Sequence, residues 1–161
     1  MNNDEHVLVL GIGNVLMGDE GVGVEVVRRI SQMRLPENVQ CLDGGTGSFL
    51  LLEPMQRAKR IMLIDSTIDG HSPGTVTRLT PRFSSEYPMT LTAHDIGLKD
   101  LLDATYLTGM PLDLTLFAIS IDPPLAVGMD LSPAIAACIP EITRQVTDEL
   151  LKFCGANASS I

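Results

Sequence analysis

The sequence predicts an α/β fold of three layers, α/β/α, around a twisted, mostly parallel sheet of about five strands. Three observations carry that expectation. Short apolar runs recur along the chain, each closed by Gly, Asp or Ser. The strongest of them are apolar almost without interruption, the pattern of strands covered on both faces. Between them lie stretches whose apolar residues repeat at helical spacing.

In chain order the runs are Val7–Gly13, Val39–Leu42, Arg60–Asp65 and Leu114–Ser120, with a more polar run at Thr75–Leu79. A stripe of Val22, Val26, Val27, Ile30 and Met33 predicts a helix after the first run. Ile96, Leu98, Leu101, Leu102 and Thr105 predict another. Ser132-Pro133 opens the last helix as N-cap and first-turn proline, and the stripe Ile135, Ile139, Ile142, Val146 and Leu150 follows. Pro140 falls inside that stripe and predicts a kink or a restart. A single domain is expected over residues 1–154, with a flexible tail of small polar residues over 155–161.

At 161 residues and 45% hydrophobic content the chain can bury a real core, which excludes a disordered protein. Aromatics make up only 4% and Trp is absent, so Val, Leu, Ile, Ala and Met must build that core. The formal charge of −9 repels phosphate, which argues against nucleic acid and anionic membrane as partners and favours cations and basic peptides. No segment reads as a signal peptide, and no apolar run reaches the roughly 18 residues of a membrane span. Cys41, Cys138 and Cys154 are widely spaced and form no CxxC pair, as suits a reducing compartment. The expectation is a cytoplasmic, monomeric protein.

In an open α/β sheet ligands bind outside the carboxyl ends of the strands, so the residues after each run carry the chemistry. The first run is followed by Gly11-Ile12-Gly13-Asn14-Val15-Leu16-Met17-Gly18-Asp19-Glu20-Gly21-Val22-Gly23, the second by Asp43-Gly44-Gly45-Thr46-Gly47, and the third ends in Ile64-Asp65-Ser66. A nucleotide site is excluded: Leu16 stands where a GxGxxG fingerprint needs glycine, and no GK[ST] follows Gly18. Asp19 and Glu20 would also set like charge against a phosphate. Each acid has a plainer role open to it. Asp19 and Glu20 can cap the first helix, Asp65 can form a turn, and Asp43 can form an Asx-turn before Gly44-Gly45. Cys41 and Ser48 lack any nucleophile constellation around them and read as packing and turn residues.

His94 opens a helix in Thr92-Ala93-His94-Asp95, a stretch like a capping box. The field at a helix N-terminus disfavours imidazolium and leaves a neutral ring able to ligate metal. His71 and His6 read as ordinary loop residues. Glu20, Asp65 and His94 together make an N,O donor set with open positions, which suits a borderline divalent ion such as nickel, zinc or iron.

The first glycine-rich segment, from Leu8 to Gly23, resembles the N-terminal signature of the nickel-iron hydrogenase maturation endopeptidases. Asp43-Gly44-Gly45-Thr46, Ile64-Asp65, Pro73-Gly74, His94-x-x-Gly97-Leu98 and Leu131-Ser132-Pro133 resemble later landmarks of that family in the right order. The resemblance runs to about Leu151. It implies an endopeptidase that removes a C-terminal extension from a hydrogenase large-subunit precursor after nickel insertion. It also implies Glu20, Asp65 and His94 as catalytic and metal-binding residues, with the nickel supplied by the substrate and zinc or another divalent ion able to replace it in vitro. A non-catalytic nickel-binding chaperone of the same precursor is the alternative. One stretch departs from the pattern: where the family often has Gly-hydrophobic-x-Pro, this chain reads Ser120-Ile121-Asp122-Pro123.

Overall fold

Each of the five apolar runs forms a strand, and together they make one sheet in a computed structural model that describes residues 6–46, 49–82, 84–88, 90, 98–109, 113–123 and 127–155. The strands are β1 (Val7–Gly11), β2 (Val39–Asp43), β3 (Arg60–Thr67), β4 (Val76–Leu79) and β5 (Asp113–Ser120), in the spatial order β2-β1-β3-β5-β4. All neighbours pair in parallel except β4, which runs antiparallel to β5. The edge position of β4 explains its polar sequence. Its Arg78 reaches over to bind Glu149 at 2.5 Å on the last helix.

The helices are α1 (Val22–Ser31), α2 (Leu52–Arg57), α3 (Leu98–Leu107) and α4 (Pro133–Cys154). Because side chains alternate along a strand, the sheet presents two apolar faces. Val9, Met62, Ile64, Phe117 and Ile119 pack with Val26 and Ile30 of α1 and with Ile135, Ile142 and Val146 of α4. Leu8, Leu10, Ile61, Leu63 and Leu116 pack with Met55 of α2 and Leu102 of α3 on the other side. Each such fully buried aliphatic chain contributes roughly 1.5–3 kcal/mol over an exposed one. The three layers follow from these two cores.

The last helix starts as expected, with Ser132 Oγ accepting the Ile135 N–H at 3.3 Å and Pro133 in the first turn. It ends at Gly155 in the left-handed conformation, φ 65°. The restart expected at Pro140 does not occur, since α4 runs unbroken from Pro133 to Cys154. Pro140 and Ala136 both lie on the exposed side, where water can satisfy the carbonyl that the missing N–H would have bonded.

The sequence pattern did not announce α2. Its opening Leu51-Leu52-Glu53-Pro54 combines a continuous apolar run with a proline, and that proline is tolerated because it falls in the first turn. His94, the Thr92 to Asp95 capping box, Ile96, Ser48 and tail residues 156–161 lie outside the described residues. Among the described residues no helix is long and apolar enough to cross a membrane.

Candidate active site

The chain leaves β1 toward β2 on one side and returns to β3 on the other. The strand order therefore reverses between β1 and β3, and the crevice at their carboxyl ends is where an open α/β sheet receives a ligand. Gly11, the last residue of β1, stands beside Asp43 of β2 and Ile64 of β3. Asp65 is thus the first β3 residue beyond the end of β1, with Ala118 of β5 on its other side.

Past Gly11 the chain stays clamped to both neighbours. The Ile12 N–H donates to Ile64 O at 2.9 Å, and the Gly13 N–H donates to Gly45 O at 2.7 Å. A 3-10 turn, Gly18–Gly21, then carries Asp19 and Glu20 directly into α1 and packs against β3. Glycine makes this approach possible. A Cβ on Gly23 would lie 2.5 Å from Ile12 O and closer still to Ile64 O, and one on Gly13 would overlap the carbonyl oxygen of Glu20. The glycine-rich segment serves backbone-to-backbone packing that seats Glu20 at the switch point, in keeping with the exclusion of a phosphate cradle.

Met17 and Gly21, the residues that open the turn and α1, make no side-chain cap, and both acids lie in the first turn of the 3-10 segment that leads into α1. Asp19 also spans the chain, its Oδ1 accepting the Ser132 N–H at 2.7 Å just before α4. Beside it Gly18 N–H donates to Gly128 O at 2.8 Å and Gly128 N–H to Leu16 O at 2.9 Å. Glu20 is half-buried on this braced turn.

Asp65 is fully buried. Strand alternation puts it on the α2/α3 face with Ile61 and Leu63, and its Oδ1 accepts the Ser66 N–H at 2.7 Å. It is no turn former, because β3 continues to Thr67. On the same face Thr67 Oγ1 donates to Thr90 Oγ1 at 2.7 Å, and Ile68 N–H donates to Thr90 O at 3.1 Å. The chain is therefore tied to the end of β3 four positions before His94 in sequence. Among the described residues no group of three His, Cys, Asp or Glu could hold a metal ion. The structure brings Glu20 and Asp65 to one edge; His94 lies outside its described part.

The remaining candidates take the plainer roles. Asp43 forms the Asx-turn, accepting the Gly45 N–H at 3.0 Å, and pairs with Arg28 at 2.9 Å. Burial pushes the Cys41 thiol up to about 11, so it stays protonated and poorly nucleophilic near neutrality. His6 Nε2 lies 3.1 Å from Gln40 Oε1. His71 is exposed and bonded to Asp69 at 3.0 Å. Burial raises the Asp69 carboxyl, but hydrogen bonds from His71 outweigh it and hold the group below the usual range.

Sequence reading missed Thr67, two residues beyond Asp65 on β3, and Ser120, its partner on β5, both buried and polar. The signal was available: polar residues close two strands that are otherwise apolar, at Asp65-Ser66-Thr67 and at Ser120. The departure at Ser120 leaves the strand end intact, since its N–H donates to Thr75 O at 2.9 Å and its carbonyl accepts the Gly74 N–H at 2.8 Å.

A sequence profile of the hydrogenase maturation proteases matches residues 24–149. The hydrogenase expression/formation protein HupD of Rhodobacter capsulatus is 36% identical over 152 residues, spanning 91% of this chain and 71% of its own. The hydrogenase 2 maturation protease of Escherichia coli K12 is 35% identical over 147 residues, 87% of either chain. The chain belongs to the hydrogenase maturation protease family. The solved hydrogenase maturating endopeptidase HybD from Escherichia coli has the same fold, with a TM-score of 0.80 at 32% identity over 91% of this chain and 93% of that one. As a family member this protein is an endopeptidase, and its carboxylates at the β1/β3 switch point are read in that light.

Proposed function

We propose that this protease removes the C-terminal extension of a nickel-iron hydrogenase large-subunit precursor after nickel insertion, and that it recognises the substrate's nickel through Glu20, Asp65 and His94. The observation that carries this reading is the seating of Glu20 and Asp65 at one switch point, one on a turn pressed down by glycines and the other buried in the strand beside it. Two carboxylates and an imidazole are hard and borderline donors, which suits nickel. Thr90 is tied to β3, and four residues of chain reach at most roughly 14 Å, enough to bring His94 over Asp65.

In this account the nickel belongs to the substrate and acts as a positioning contact that holds the scissile peptide at the site. Glu20 is the carboxylate that solvent reaches, so it takes a proton from the attacking water. The water oxygen bonds to the carbonyl carbon, the C–N bond breaks, and the leaving amine receives the proton from Glu20. Asp65, buried and held by Ser66 N–H, keeps its place as a fixed ligand.

The test is to incubate purified protein with nickel-loaded and with metal-free precursor and to weigh the product. Loss of a C-terminal fragment from the nickel-loaded form alone is the expected result. Equal cleavage of the metal-free precursor rules out nickel recognition. Binding with no mass loss points to the chaperone role instead.

A further inference from the structure

Beside Glu20 the protein carries an exposed apolar face that its own core does not use. Met17 bridges Gly128 in parallel, and the Gly128 N–H donates to Leu16 O at 2.9 Å, which brings Leu16 on one segment close to Val127 and Met129 on the other. Leu16 is 56% exposed, Val127 84% and Met129 74%. Large apolar side chains grouped in this way on a surface mark an interaction site. The two segments that form the bridge, residues 11–23 and 120–132, contain Asp19, Glu20, Asp122 and Asp130 and no Lys or Arg. Asp122 and Asp130 are exposed. The bridge is fixed before any partner arrives, by its Gly18–Gly128 and Gly128–Leu16 bonds and by the Asp19–Ser132 bond.

We propose that Leu16, Val127 and Met129 form the docking edge for the precursor's C-terminal region. The segment it takes carries an apolar side chain flanked by Lys or Arg. Two features select that occupant. The face is continuous with the turn that bears Glu20, so a peptide reaching the carboxylates passes over it. The charged residues of the two bridging segments are all acidic, which attracts a cationic segment and repels an anionic one. The proposal rests on the processing reading and adds what selects the substrate.

The experiment measures precursor binding, KM and kcat with nickel-loaded precursor for the wild type, for Leu16→Ser/Val127→Ser/Met129→Ser, and for Asp122→Asn/Asp130→Asn. The substituted side chains are exposed, so both variants should keep the wild-type melting temperature; if the triple variant does not, Val127→Ser alone carries the test. The triple variant should raise KM at least about tenfold and leave kcat within about twofold, as expected for apolar anchors outside the chemistry. The charge variant should lose most of the rise in KM that the wild type shows with added salt. A wild type that cleaves, with variants of unchanged KM and salt response, overturns the docking edge and leaves the processing reading intact. A wild type that binds through these residues without cleaving overturns the processing reading alone. A wild type that neither binds nor cleaves overturns both.

Discussion

Gly23→Ala sets two physical effects against each other at the residue where α1 presses on the sheet. Alanine favours a helix over glycine by up to about 1 kcal/mol, so in open space the change would stabilise α1. Here the new Cβ would lie 2.5 Å from Ile12 O, about 0.9 Å short of an ordinary 3.4 Å contact, and nearer still to Ile64 O. Both obstacles are backbone carbonyls of the sheet edge, and neither can swing away as a side chain would. Overpacking of this kind costs typically 1–3 kcal/mol, and two rigid contacts place it at the upper end. Setting about 3 kcal/mol against about 1 leaves a net loss of about 2 kcal/mol. For a chain of this size that lowers the melting temperature by about 4–8 °C. Relief requires α1 to lift, and α1 carries the Glu20 turn with it, so processing should fall by more than the loss of folded protein explains. Differential scanning calorimetry and a processing assay on the same preparation read both effects. A melting temperature equal to or above the wild type's would show that the glycine-rich segment is not a close-packing device, and the account of how Glu20 is seated would fail with it.

Three further outcomes follow from the same geometry. Asp19→Ala removes the acceptor of the Ser132 N–H and should cost about 1–3 kcal/mol, whereas Asp19→Asn keeps an acceptor and should stay near wild type in stability and retain cleavage; equal melting temperatures for the two variants would show that the bond contributes nothing. The folded state holds the Asp69 carboxyl below its ordinary value, so it contributes stability above the normal carboxylate range and loses it as pH falls through the lowered value. A wild type that melts above Asp69→Asn at pH 7 should therefore converge with it below about pH 4, and a gap that persists into acid contradicts this. With its thiol pushed up to about 11, Cys41 should resist alkylation at neutral pH, and Cys41→Ser should still process precursor. Rapid inactivation traced by mass spectrometry to Cys41 would show otherwise.

Much of the fold was readable because burial on both faces leaves a plain mark. Val7 to Leu10 and Ile61 to Ile64 are apolar without a break, and only a covered strand needs that. The reading failed where long-range contacts override local pattern. Nothing near Asp19 in sequence announces that it binds Ser132, 113 residues away. Pro140 breaks a helix in isolation, yet packing of Ile135, Ile139, Ile142 and Val146 on the sheet outweighs one missing bond whose carbonyl faces water. α2 was hidden by a proline that its first turn tolerates. At the site, Glu20 and Asp65 were legible as acids after strands, but the role of the glycines was not. Motif reading asks what a glycine cradles, and Gly13 and Gly23 answer instead to the carbonyls of Glu20 and Ile64. Thr67 and Ser120 escaped notice because each alone is an ordinary strand-end residue, and only the pairing of β3 with β5 sets them side by side.

The most direct measurement compares nickel-loaded precursor incubated with the wild type, Glu20→Gln, Asp65→Asn and His94→Ala, with intact mass recorded over time and melting temperature recorded for each protein. The account predicts that the wild type releases one C-terminal fragment while each variant, still folded, releases none. A folded variant at any of the three positions that processes at the wild-type rate would contradict it.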